Sequence, residues 1–181
     1  SMAKTIKHSG DGNAKWGDED HLQVAQGRSF ASMIFELLSE KVPTEAQLKV
    51  FELILNLSID HGSDTPSAKA TIVASKVGKT ISGSVASGIE QINDSHGGAQ
   101  EKLMEILYQV ESEKLKIKVL VAEYIGQSKR VPGYGHRIYK EIDPRAQLIL
   151  DELGKIRMGQ EFIDMARELE GELKSQTGKQ L

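Results

Sequence analysis

The 181-residue chain contains no cysteine. Disulfides, thiolate nucleophiles and cysteine-based zinc sites are therefore excluded. No apolar stretch approaches the roughly 20 residues that a membrane-spanning helix needs, and no signal-peptide pattern opens the chain. A large charge of one sign is missing too, since 23 Lys and Arg stand against 26 Asp and Glu for a net charge of -3. That balance gives no footprint for nucleic acid or for a membrane surface. There is no Walker A or dinucleotide-binding glycine fingerprint, so neither a nucleotide triphosphatase nor a dehydrogenase is supported. The histidines form no His-x-x-x-His pair or His-rich run, and no metal site is expected. With 39% hydrophobic and 27% charged residues, the composition is that of an ordinary soluble globular protein. A cytoplasmic location is the expectation.

What is present is mostly helical periodicity. Ser1-Met2 reads as a cloning remnant, and Ser9 to Asp20 reads as a loop, making 1–20 a flexible opening segment. Only Thr5-Ile6-Lys7 and one short stretch suggest strand. Phe30, Met33, Ile34, Leu37 and Leu38 lie at helical spacing. Pro43-Thr44 separates that helix from the next, with Thr44 and Gln47 at capping-box spacing. The segment carrying Leu48, Phe51, Leu53, Ile54, Leu55, Leu57 and Ile59 is apolar almost all round, which predicts a buried central helix ending at Asp60-His61-Gly62. Pro66 suits a first helical turn and Gly78 a helix stop. Further helices are expected at Glu101–Val110, Glu113–Tyr124, Arg145–Leu153 and Gln160–Lys174. The fold class is all-α.

The segment Lys79–Asn93 combines small residues, Ser82, Gly83, Ser84, Ala86, Ser87 and Gly88, with a stripe of Ile81, Val85, Ile89 and Ile92. Glycine inside a helix costs roughly 1 kcal/mol relative to alanine. Two of them predict a close backbone approach to a neighbour, with a symmetry mate as the candidate and a homodimer as the expected assembly.

Three of the five histidines stand beside glycine, in Asp60-His61-Gly62, Ser95-His96-Gly97-Gly98-Ala99 and Pro132-Gly133-Tyr134-Gly135-His136-Arg137. Histidine exchanges protons near neutrality, and glycine lets a ligand approach the main chain. Together with the basic turn at Lys129-Arg130 and the downstream Arg145, they read as an acid–base site for an anion.

The string Val131-Pro132-Gly133-Tyr134-Gly135-His136-Arg137-Ile138-Tyr139-Lys140, followed by Asp143-Pro144-Arg145, resembles the signature of the citrate synthase superfamily. His96-Gly97-Gly98-Ala99 with Glu101 resembles its second histidine loop. Asp60-His61-Gly62-Ser63-Asp64-Thr65-Pro66-Ser67-Ala68 is most similar to the citryl-CoA lyase branch, which includes the C-terminal module of ATP-citrate lyase. The likeness runs from about Gly27 to Leu181. It implies a helical fold of two domains, with 21–98 as part of the large domain, 99–181 as the small domain, and the C-terminal part of the large domain missing. It also implies that the small-residue helix lies at a dimer interface.

The same resemblance implies a carbon–carbon bond reaction. Citryl-CoA is cleaved to acetyl-CoA and oxaloacetate, or the two are condensed as in citrate synthase. His96 would stabilise the enolate of the thioester, and His136 would exchange a proton with the hydroxyl or carbonyl oxygen. His61 and Arg145 would hold the oxaloacetate or citryl part. The loop of Arg130, Val131, Pro132, Gly133, Tyr134 and Gly135 would contact coenzyme A through its main chain. The thioester is substrate, and no permanently bound cofactor is implied. Family enzymes complete the site with an aspartate in a Pro-Leu-Asn-x-Asp-Gly pattern that the 181 residues do not contain. A third reading, a CoA-binding or regulatory module without full catalysis, therefore stays open. Each residue also has a plainer role: His61 as a helix-end cap, His96 as a loop residue, Arg145 as the partner of Asp143, Lys129 and Arg130 as solvated cations.

Overall fold

The computed structural model describes residues 6–8, 10, 12, 14–135 and 142–178, in two compact units, residues 1–59 and 60–181. Nine α-helices are found among the described residues.

The first unit opens with a small antiparallel sheet. Strand is found from Ile6, where it was expected, and two more strands lie within the Ser9–Asp20 stretch expected to be a loop. Strands β1 (Ile6–His8), β2 (Ala14–Trp16) and β3 (Glu19–Asp20) lie in the order β1-β2-β3, with Lys7 opposite Lys15 and Trp16 opposite Glu19. Gly17 and Asp18 alone connect β2 to β3, and Gly17 takes a φ of 63° that a tight turn demands. What the composition hides is a buried anchor. The indole Nε1–H of Trp16 donates to Glu36 Oε2 at 3.1 Å, and Arg28 donates to the same oxygen at 2.6 Å. Arg28 also grips Glu19 through both carboxylate oxygens. A carboxylate as buried as Glu36 is tolerated because cation and indole replace its water.

Helix α1 (His21–Gly27) was not expected from the periodicity; Asp20 caps it by accepting from the Gln23 N–H. Helix α2 (Phe30–Ser39) is capped by Ser29. The capping box at Thr44 and Gln47 forms as expected and starts α3 (Glu45–Ser58). The predicted burial of α3 does not follow. Only Val50 is buried, while Ile54 is exposed. Its apolar girdle is used on one side, where Phe51 packs edge-to-face on Phe35 of α2 at 5.4 Å.

The second unit contains α4 (Pro66–Lys76), α5 (Ile81–Ile89), α6 (Ala99–Glu113), α7 (Ile117–Gly126), α8 (Pro144–Ile156) and α9 (Gln160–Thr177). Pro66 occupies the first turn of α4 behind its cap Thr65, and Gly78, at φ 83°, follows its end. Helices α4 and α5 pack intimately. The glycine reading changes here: a Cβ on Gly88 would collide with Thr71 Oγ1 and come within 3.0 Å of the Ser67 carbonyl oxygen, both on α4. The close approach that Gly88 permits is thus inside the chain, and the atoms nearest a Cβ on Gly83 belong to Thr80 and Lys79 at its own helix start. The Ile81, Val85 and Ile89 stripe is what stays exposed, at 87%, 48% and 61%.

Helices α6, α7 and α9 enclose the core of this unit. Ile106, Val110, Ile117, Leu120, Val121, Leu169 and Leu173 are buried together with Val131, and Tyr124, Tyr134 and Met165 pack against them. Helix α6 runs past Val110 to Glu113, where Lys114 turns left-handed (φ 52°) and the Leu115 N–H returns to the Val110 carbonyl. The predicted break between the two helices therefore moves by three residues. Among the described residues, no helix is long and apolar enough to cross a membrane.

Candidate functional site

The segment between α3 and α4 carries the first histidine. Asp60 Oδ1 accepts from the Gly62 N–H at 2.8 Å, and Gly62 takes a φ of 75°. This turn leaves His61 exposed, with its Nε2 3.4 Å from Nη1 of Arg145, 84 residues later. A guanidinium can only donate, so this contact requires a lone pair on His61 Nε2.

Arg145 stands in the first turn of α8, behind Pro144 and the cap residue Asp143. Asp143 Oδ1 accepts from the Arg145 backbone N–H at 2.9 Å and from its Nε at 3.0 Å, while Oδ2 accepts from Nη2 at 2.7 Å. The plainer role read from the sequence, pairing with Asp143, is present. Asp143 fixes the plane of the guanidinium at a helix start, and the same guanidinium faces His61. A fork held this way is oriented before any carboxylate arrives.

His96 belongs to a turn between α5 and α6, not to either helix. The predicted helix to Asn93 ends earlier, at Ile89, and the chain folds back so that Asn93 and His96 pair through their backbones. The half-buried imidazole places Nε2 3.0 Å from the Ser67 hydroxyl, in the first turn of α4. Ser67 was not singled out from the sequence as a site residue. Its only signal is membership of the Asp60–Ala68 string, because the 29 residues that separate it from His96 are closed by tertiary packing.

His136 lies outside the described residues. The loop before it divides its work between side chains and main chain. Val131 is buried in the core, and Tyr134 donates its hydroxyl proton to the Ala166 carbonyl at 2.7 Å. Burial, and then the nearby Glu170 carboxylate, pushes the Tyr134 phenol well above its ordinary range, so it stays a neutral donor. Gly133 (φ 83°) has no room for a side chain, since a Cβ there would lie 2.7 Å from Leu103 Cδ2. Val131 and Tyr134 therefore hold the loop down from beneath, while Lys129 and Arg130 remain exposed at its entrance. No cluster of three metal-ligating side chains occurs among the described residues.

Comparison with known proteins meets this geometry at the family level. The family model described as citrate synthase, C-terminal domain, matches residues 2–181. The chain belongs to the citrate synthase family. The citrate-synthase-type helical fold implied by the motifs is the fold observed. A citrate synthase from a Synechocystis species is 30% identical over 165 residues, covering 88% of this chain and 41% of that protein. The solved citryl-CoA lyase from Hydrogenobacter thermophilus superposes with a TM-score of 0.89 at 30% identity, over 99% of this chain and 70% of the other. The ATP citrate lyase of Methanothrix soehngenii, solved with citrate and coenzyme A, shares the fold at 23% identity and a TM-score of 0.87, over 100% of this chain and 30% of that one. The chain thus spans well under half the length of the citrate synthase relative.

Proposed function

We propose that this citrate synthase family chain carries a citryl-CoA lyase-type site, cleaving citryl-CoA to acetyl-CoA and oxaloacetate. One observation carries the reading: the short segment from Asp60 to Ser67 touches both halves of the required chemistry. Its His61 meets Arg145, and its Ser67 meets His96. On this reading a carboxylate-binding pair and a thioester-facing histidine share one strip of chain.

The roles follow from the chemistry. In cleavage, the citryl hydroxyl gives up its proton, the adjacent carbon–carbon bond breaks, and the electron pair moves onto the thioester as an enolate. His136, assigned through its motif, takes the hydroxyl proton. His96 offers Nδ1–H to the enolate oxygen. That requires Nε2 to accept from the Ser67 hydroxyl, which a serine can supply. Arg145, oriented by Asp143, and His61 hold the oxaloacetate carboxylates. The enolate carbon takes up a proton, the task that family resemblance gives to an aspartate in the Asn-x-Asp-Gly pattern. The main chain of Arg130–Gly135 receives coenzyme A beside the two exposed cations. On this reading residues 99–181 are the small domain and 21–98 part of the large one.

Condensation in the synthase direction would use the same groups in reverse, so both directions are assayed together. Binding is expected without turnover as well. Calorimetry at millimolar coenzyme A should detect a complex, and its absence would remove the loop assignment. Cleavage is measured as acetyl-CoA and oxaloacetate released by the chain, alone and extended by a segment carrying an Asn-x-Asp-Gly pattern. His136→Ala should lower the rate by roughly 10²-fold or more. An extended chain that binds coenzyme A yet stays inert in both directions would leave the binding-module reading in its place.

A further inference from the structure

His96 is carried by a turn of low intrinsic rigidity, since two glycines follow it directly. Gly97 is left-handed (φ 92°), and a Cβ on Gly98 would lie 3.0 Å from the Asn93 carbonyl oxygen. Glycine pairs of this kind lose the most conformational freedom on folding. Something must hold the turn, and the side chain and backbone of one residue, Asn93, make most of its hydrogen bonds. Asn93 Oδ1 accepts from the Ser95 N–H at 2.9 Å and from the His96 N–H at 3.1 Å. Its amide Nδ2 donates back to the Gln91 carbonyl at 3.1 Å. Its backbone adds three further bonds: N–H to the His96 carbonyl at 2.9 Å, and the carbonyl to the His96 and Gly98 N–H groups at 2.9 and 3.1 Å.

Asn93 is exposed, so burial does not dictate its identity. Its hydrogen-bonding pattern does. Asn and Asp, and more weakly Ser and Thr, accept from N–H groups two and three residues ahead. Only the amide, not a carboxylate, can also donate to Gln91.

We propose that Asn93 is the positioning residue of His96: its carboxamide clamps the turn so that the imidazole meets Ser67 through Nε2 and presents Nδ1 to the ligand. This rests on the reading of His96 as the thioester-facing group. The clamp joins two distant requirements, because His96 can satisfy Ser67 only if its own backbone is fixed. An isosteric aspartate keeps both acceptor bonds and loses the donor bond, whereas alanine loses all three side-chain bonds. The expected order of function is therefore Asn, then Asp, then Ala.

The test is nitrogen NMR of the imidazole rings, with His96→Gln used to assign the His96 signals. In the parent chain these should show one dominant tautomer. In Asn93→Ala they should move toward the averaged values of an unrestrained imidazole, and Asn93→Asp should fall between. Where turnover is measurable, Asn93→Ala should lose roughly 10²-fold in kcat, the scale of a misplaced catalytic group, with KM little changed. A folded Asn93→Ala whose His96 signals match those of the parent overturns the proposal. If that variant does not fold, amide exchange in the parent decides. The Ser95 N–H reports the carboxamide, since the His96 N–H is also held by the Asn93 backbone carbonyl. Its protection supports the clamp, and loop-like exchange there overturns it. Shifted imidazole signals in a protein that never cleaves citryl-CoA would uphold the clamp and sink the lyase reading.

Discussion

A hydroxyl group decides how His96 can act. With the Ser67 Oγ at 3.0 Å from Nε2, replacement by alanine would leave the imidazole to water and to either tautomer. On the proposed lyase reading, Ser67→Ala should lower citryl-CoA cleavage by roughly tenfold, the scale of one lost hydrogen bond of about 1.4 kcal/mol. His96→Ala should cost more, about 2.7–4 kcal/mol, as expected for removing a donor to a developing oxyanion. Steady-state kinetics of both variants would check this, and equal losses would argue that Ser67 does more than orient the ring. The sequence offered candidate site residues where they form a continuous string, as at Asp60–Ala68. It did not offer their pairings. His61 finds Arg145 across 84 residues and His96 finds Ser67 across 29, and nothing in local sequence encodes a distance closed by packing.

At the level of helices and loops, chain ends were readable when the usual residues mark them. Thr44 with Gln47, Pro66 and Gly78 all act where their chemistry places them. They were unreadable where Glu40, Lys114 and Arg157 adopt left-handed conformations without being glycine, because a charged residue carries no such signal. Strand was expected at Thr5-Ile6-Lys7, but the pairing of Ala14–Trp16 and Glu19–Asp20 into a sheet was missed for a related reason. Trp16 of β2 is anchored by its buried hydrogen bond to Glu36, a contact that is tertiary.

Gly88 is the element-scale residue with the sharpest expectation. Gly88→Ala would drive a methyl group into Thr71 Oγ1 and toward the Ser67 backbone, an overpacking cost of about 1–3 kcal/mol. A lowered thermal midpoint should result, and an unchanged one would mean that α4 and α5 separate easily. Tyr134 gives a pH expectation. A phenol raised by burial favours the folded state below its unfolded value of about 10, and that contribution is lost as pH rises through the folded value. Melting of the parent should therefore fall more steeply at alkaline pH than that of Tyr134→Phe. The variant should be weaker near neutrality by about 1 kcal/mol, for the lost bond to the Ala166 carbonyl.

For the molecule as a whole, the exposed Ile81, Val85 and Ile89 stripe on α5 is the place to test self-association. A surface with three aliphatic side chains at i, i+4 and i+8 suits a two-fold contact between copies. The parent chain should scatter light as a dimer at micromolar concentration, and Ile89→Glu should shift it toward monomer. A monomeric parent would remove the interface. Gly88 is a poor probe of that contact, since a side chain there would strike α4 within the chain.

Trp16, the sole tryptophan in the sequence, lies in the first of the two compact units with its indole against the Glu36 carboxylate. Its fluorescence is therefore an optical label confined to residues 1–59, obtained without any added dye. Circular dichroism, by contrast, is dominated by helices from both units. Recording the two signals in one urea titration turns a single buried hydrogen bond into a test of cooperativity. Superimposed curves would mean that the units unfold as one, and an earlier fluorescence transition would mean that the first unit can melt while the histidine site in the second remains folded.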